Sequence, residues 1–156
     1  MSPKGLDSLR IIDAHTVAYL DFVGSGAETI AHIRENGRVV LMMCAFEGFP
    51  KTVRLHGRGE VVEAADPEFL PLKSLFDSPL PARSIIRVQL ERVSESCGFG
   101  VPLYEFKGDR TQLPAWTRRK GEEGLLEYQR QHNRCSIDGL PALTARPGAG
   151  SLKPEL

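Results

Sequence analysis

The chain is 156 residues long, a length that favours a single domain with a sizeable core. Its 20 Lys and Arg residues balance 20 Asp and Glu residues, so no overall field points to nucleic acid or an anionic membrane surface as partner. Cys44, Cys97 and Cys135 are odd in number and far apart, and His15, His32, His56 and His132 show no metal-ligand spacing, so neither a disulfide framework nor a bound metal is expected.

The opening Met1-Ser-Pro-Lys-Gly-Leu-Asp7 lacks the apolar core of a leader, and no apolar run approaches a membrane span, so a cytoplasmic protein is expected. Residues 16–23, TVAYLDFV, are rich in β-branched and aromatic types and end at Gly24-Ser25-Gly26, which reads as a strand stopping at a turn. A short helix follows. Ser25 and Glu28 have capping-box spacing, Ala27, Ile30, Ala31 and Ile33 give an apolar side, and Asn36-Gly37 gives a stop. A helix so short does not persist alone and must pack on a sheet.

Residues 38–46, RVVLMMCAF, form a nearly continuous apolar run, the pattern of a strand buried on both faces at the centre of the core. After the turn Glu47-Gly-Phe-Pro50, residues 51–62 alternate, with Val53, Leu55 and Val61 on one side and Arg54, His56, Arg58 and Glu60 on the other. The two segments read as an antiparallel hairpin. Gly57 and Gly59 fall on its apolar side, where they predict a bend, a bulge or a close backbone approach. Residues 67–76 predict a short helix entered at Pro67 and interrupted by Pro71, and residues 84–93 return to period two as a half-buried strand. Cys97-Gly-Phe-Gly-Val-Pro102 predicts a tight loop, residues 111–132 two short helices broken around Gly121 and Gly124, and Ser136-Ile-Asp-Gly-Leu-Pro141 a turn. These elements predict an α+β protein built on an antiparallel barrel, with one domain over residues 1–143 and a flexible tail over 144–156.

The order of Ser2-Pro-Lys-Gly5, Thr16-Val-Ala-Tyr-Leu-Asp21, the run from Gly24 to Arg38, Ala45-Phe-Glu-Gly48, Arg54-Leu-His-Gly-Arg-Gly59, Ser96-Cys-Gly-Phe-Gly-Val-Pro102 and Ser136-Ile-Asp-Gly-Leu-Pro141 resembles the pyridoxamine 5′-phosphate oxidase-related FMN-binding proteins, within an uncharacterised branch. The resemblance implies an antiparallel split β-barrel with short peripheral helices, FMN held at a homodimer interface, and oxidoreductase activity on a small-molecule redox substrate. Members of the group carry a helix and a strand ahead of the Ser-Pro-Lys-Gly segment. This sequence begins at that segment, so a strand edge is expected to lack its partner.

FMN ends in a phosphate that needs backbone N–H donors and cations, and Gly24-Ser25-Gly26 ahead of a helix is placed to supply the donors. Ser25 and Thr29 add hydroxyls, and the resemblance adds Ser2 and Lys4 as nearby contacts. The plainer alternative is that Ser25 caps a helix and Lys4 is solvated. A dinucleotide loop is disfavoured, because Thr29 stands where the third glycine belongs and no βαβ alternation follows. By resemblance, Met43, Cys44, Ala45 and Lys51 lie beside the flavin ring, although core packing also accounts for the first three. Arg54, with His56 and Arg58 on the same strand face, is a candidate for an anion, the dimer partner or simple solvation.

No catalytic acid or base is identifiable, Cys97 has no histidine near it in sequence, and Trp116 beside Arg118 and Arg119 reads as a helix anchor. Two further readings therefore stand beside the FMN oxidoreductase: a non-enzymatic flavin-binding or interaction module, and a deazaflavin-dependent reductase.

Overall fold

The computed structural model describes residues 4–144. Five strands form one antiparallel sheet: β1 (Leu9–Asp13), β2 (Thr16–Phe22), β3 (Arg38–Cys44), β4 (Lys51–Glu63) and β5 (Ala82–Cys97), in the order β1-β2-β5-β4-β3. Helix α1 (Glu28–Asn36) joins β2 to β3, the short α2 (Phe69–Lys73) joins β4 to β5, and α3 (Gln112–His132) follows β5. The predicted α+β antiparallel class is the one observed. The tail predicted from 144 onward lies outside the described residues except for Thr144.

The core is layered on both sides of β2 and the first half of β5. On one face Val17, Tyr19, Ile86 and Val88 pack against Ile30, Ala31 and Ile33 of α1 and against Ala142. On the other, Ala18, Leu20, Val62 and Ile85 pack against Phe69, Leu72 and Phe76. The alternation follows from the strand period of two, and the register places Tyr19 opposite Ile86 and Leu20 opposite Ile85. Leu20, Ile85 and Ile86 are fully buried, each contributing on the order of 1.5–3 kcal/mol of apolar transfer.

The doubly buried strands are therefore β2 and β5, and the expectation for β3 is corrected. β3 is an edge strand. Val39 and Leu41 turn toward the α1 side of the core, whereas Val40 and Met42 are each 52% exposed. An apolar run records hydrophobicity on both faces but not which face a neighbour covers. The strand β1, which no sequence pattern announced, forms the other edge and leaves Ile11 exposed.

The N-terminus of α1 is also corrected. Its N-cap is Ala27, with no side-chain cap bond, and Ser25 sits exposed in the preceding loop. The capping box fails because Glu28 turns away to accept the Ile137 N–H. The helix stops as predicted at Gly37, in the left-handed region at φ 71°, with its N–H on the Ile33 carbonyl. α2 contains Pro71 within its first turn, where a missing N–H costs nothing, and α3 is kinked at Gly121.

Gly57 and Gly59 do what their place in the apolar stripe predicts. A β-bulge falls at His56/Gly57 in the β4–β5 pairing, and a Cβ on Gly57 would lie 2.2 Å from the Gln89 carbonyl oxygen. A Cβ on Gly59 would lie 2.9 Å from Cδ1 of Ile33, so this glycine lets α1 settle onto the sheet.

Candidate functional site

The end of β2 carries a buried charge cluster. Asp21, on the same strand face as Tyr19, accepts a hydrogen bond from Lys4 Nζ at 2.9 Å and one from Arg83 Nε at 2.7 Å. Ser84 Oγ donates a longer bond to the same carboxylate at 3.3 Å. The Asp21 and Arg83 side chains are only 4% and 7% exposed, while that of Lys4 is 23% exposed. Burial opposes the charge on Asp21, but the Arg83 guanidinium and then the Lys4 ammonium outweigh it and hold the carboxyl below the usual range. Among the described residues Arg83 Nη1 is buried with no acceptor, an unmet donor of the kind that ordinarily finds water or a ligand. Lys4 also lies over the Tyr19 ring.

Three residues beyond Asp21 the chain enters the loop 24–27 and the first turn of α1. With Ala27 as cap and no side-chain cap bond, the first N–H groups of the helix lack intrahelical or capping partners. Thr29 lies in that turn, half-buried, next to the partly buried Gly26 and exposed Ser25. The loop is clasped from the far end of the chain. The fully buried Asn133, at the end of α3, donates through Nδ2 to the Gly24 carbonyl at 2.9 Å, and Ile137 is tied to Glu28.

The other candidates gather at the β3–β4 hairpin. Ala45 N–H donates to the Lys51 carbonyl at 2.9 Å, Cys44 pairs with Thr52, and Met43 pairs with Val53. Lys51 Nζ is ion-paired to Glu95 at 2.9 Å and Arg54 Nη1 donates to Ser96 Oγ at 2.8 Å, both exposed to solvent. The loop after β5 folds back on this hairpin: Tyr104 N–H donates to the Phe46 carbonyl, Phe106 N–H to Glu47, and the Phe46 and Tyr104 rings lie 5.5 Å apart. Phe49, Phe99, Leu103 and Phe106 remain largely exposed there. Arg58, by contrast, is engaged by Glu91 and the Asn36 carbonyl.

The two groups do not meet within one chain. Asp21 pairs with Ser84, which pairs with Glu63 across the sheet, whereas Lys51 pairs with Cys97. The stretch of β4 from Lys51 to Glu63 spans about 40 Å at about 3.3 Å per residue. Ser2 lies outside the described residues. Sequence reading missed Asp21, Arg83, Asn133 and the role of Glu28. A signal existed for the first: an acid in phase with Val17 and Tyr19 in an otherwise apolar strand predicts a buried charge that needs a cation. Cys97 is exposed with no acid–base partner identified, and Trp116 meets Tyr128 edge-on at 5.1 Å within α3, as a helix anchor should.

The fold and these sites define an antiparallel α+β protein with a cationic cluster at one end of its sheet and a hairpin with exposed aromatics at the other. The chain is 40% identical, over an alignment of 166 positions, to the pyridoxamine 5′-phosphate oxidase family protein ustO of Aspergillus flavus. The alignment covers 92% of this chain and 64% of that protein, so the chain spans just under two thirds of its relative. Over the aligned stretch the chain is similar to this member of the pyridoxamine 5′-phosphate oxidase family. No family model matches the chain. Two crystal structures of HupZ from Group A Streptococcus, a point variant and its parent, align at TM-scores of 0.48 and 0.46. They share 19% and 18% identity with this chain, covering 57% and 55% of it and 73% and 66% of HupZ. Among the described residues, no helix is long and apolar enough to cross a membrane.

Proposed function

We propose that the chain is an FMN-binding flavoprotein that works as a homodimer and acts as an oxidoreductase on a small-molecule redox substrate. The observation that carries this reading is the separation of the two candidate groups, about 40 Å along β4. No single mononucleotide reaches from one to the other. Two copies arranged about a two-fold axis can set the phosphate end of one chain beside the hairpin of its partner, which is how a shared site forms from an isologous interface. The half-exposed Val40 and Met42 on β3 supply apolar surface for such a contact.

The residues present fit the cofactor. The uncapped first turn of α1 offers N–H donors to a phosphate, Thr29 offers a hydroxyl, and Lys4 and Arg83 offer cations, one of whose donors is unmet. The Asp21 carboxylate cancels one of those two charges and fixes both cations in place, leaving the cluster net positive. At the other end Met43, Cys44 and Ala45 lie where β3 turns into β4, with the Lys51 carbonyl bonded to Ala45 and Arg54 opposite Met42, and would lie beside the ring. When bound, FMN supplies the electron transfer; the chain's own residues position the ring and keep competing reactions away from it.

The test is the absorption spectrum of the purified protein reconstituted with FMN, before and after a reduced nicotinamide, alongside sedimentation at micromolar concentration. Saturable flavin binding by a dimer, with bleaching by the nucleotide, is expected. A yellow dimer inert to all donors favours the binding-module reading. A monomer that binds FMN at full affinity overturns the shared site, and failure of FMN with retention of a deazaflavin overturns the choice of cofactor.

A further inference from the structure

The turn that follows α3 rests against α1, beside the first turn that carries Thr29. It brings together three side chains that lie far apart in sequence. Glu28 and His32 stand one turn apart on one face of α1, and Asp138 reaches them from the turn Ser136-Ile-Asp-Gly-Leu-Pro141. One ligand atom from each lies within 4.8 Å of the other two. We propose that Glu28, His32 and Asp138 form a binding site for one first-row divalent transition-metal ion, with Zn²⁺ the best match to one imidazole and two carboxylates.

The geometry leaves room for a shared ion. His32 Nε2 is 3.7 Å from Asp138 Oδ2, an ion-pair distance when the imidazole is charged and longer than a hydrogen bond. Two ligand atoms each about 2.1 Å from a common ion, at a tetrahedral angle, are about 3.4 Å apart. Asp138 is oriented in advance, because its other oxygen accepts the Ser136 hydroxyl. Glu28 is oriented in the same way by the Ile137 N–H. The His32 and Asp138 side chains are about half exposed, at 50% and 55%, so water would complete the coordination shell and the site would stay open. Nitrogen with carboxylate oxygen suits Zn²⁺, Co²⁺ or Mn²⁺ rather than Cu⁺.

Such an ion would join α1 to the segment that also clasps the Gly24 carbonyl through Asn133. It would thereby pin the C-terminal turn to the loop ahead of α1. The readout of ion binding needs no cofactor.

The experiment is a titration of the untagged, metal-stripped protein with Co²⁺, followed by visible absorption, and with Zn²⁺ by calorimetry and thermal melting. One ion per chain is expected, with weak visible ligand-field bands and no sulfur-to-cobalt band in the near ultraviolet. The melting temperature should rise by on the order of 5–10 °C at a hundredfold excess over the dissociation constant. His32→Ala should abolish the bands, and Asp138→Asn should weaken binding about tenfold or more, with the far-UV spectrum unchanged in both. No saturable Co²⁺ signal overturns the site. So does binding that His32→Ala leaves intact, or a sulfur band that assigns the ion to a cysteine.

Discussion

Replacing Asp21 by asparagine preserves the shape of the side chain but removes the carboxylate that Arg83 and Lys4 share. Arg83 is then left charged at 7% exposure and Lys4 beside it at 23%, with no counter-charge in the cluster. Breaking a buried pair in this way costs about 3–5 kcal/mol, because the remaining cation stays desolvated. Lys4→Ala leaves the Asp21–Arg83 contact in place and costs only about 1–2 kcal/mol. At about 2–4 °C per kcal/mol for a domain of this size, Asp21→Asn should lower the melting temperature by about 6–20 °C and Lys4→Ala by about 2–8 °C. Urea unfolding checks the same order, with the midpoint moving and the slope unchanged. The pH dependence adds a second reading. The folded state holds the Asp21 carboxyl below its unfolded value of about 3.9, so its stabilisation is complete above that pH and drains away as the pH falls through the folded value. Below about pH 4 the wild type should therefore lose stability faster than Asp21→Asn. An Asp21→Asn protein within about 1 kcal/mol of wild type, or an identical acid limb in the two proteins, would refute the buried-pair account.

For the cofactor, Lys4→Ala should raise the FMN dissociation constant roughly tenfold or more through loss of a charge-assisted contact, while riboflavin, which lacks the phosphate, should bind as before; fluorescence titration with both ligands checks this. Equal loss for the two would mean general unfolding, and no loss for either would leave Lys4 as a structural partner of Asp21 alone. Gly57→Ala should destabilise by about 3 kcal/mol, because its Cβ meets the Gln89 carbonyl at 2.2 Å and backbone cannot yield without undoing the bulge. Gly59→Ala meets the buried Ile33 side chain, at Cδ1, Cγ1 and Cγ2, rather than backbone, and should cost less, about 1–2 kcal/mol; thermal melts showing the reverse order would contradict the packing of α1 on β4.

Much of the fold was legible because local chemistry and tertiary structure agree. The strand at Thr16–Phe22, the hairpin of β3 and β4, the stop at Gly37, the bulge at Gly57 and the kink at Gly121 each follow from residue types whose conformational preferences were satisfied in place. The errors have physical causes as well. RVVLMMC is apolar throughout, yet it forms an edge, since burial depends on neighbours that a strand's own residues do not specify. Ser25 and Glu28 have capping-box spacing, yet Glu28 commits its carboxylate to Ile137, 109 positions away. β1, five residues long and flanked by few turn signals, is too short for its period to stand out.

The site was legible only in outline, for a reason that bears on how the protein works. Motif order brought Lys4, Thr29, Ala45 and Lys51 to notice one by one, but nothing in their spacing says that the first two lie near one end of β4 and the last two at the other. That follows from the antiparallel register, in which Ser84 sits opposite Asp21 and Cys97 opposite Lys51 on a single continuous strand. The residues that hold the β2 cluster and the loop ahead of α1 together were hidden for the same reason: Asp21, Arg83 and Asn133 come from β2, β5 and the end of α3, and each looks ordinary until the sheet closes around it. A sequence motif marks a contact surface, while the pairing of strands decides whether one chain can complete it. Here the register separates the two halves by the length of β4, about 40 Å measured along the strand, and the proposed shared site would draw one half from a second copy.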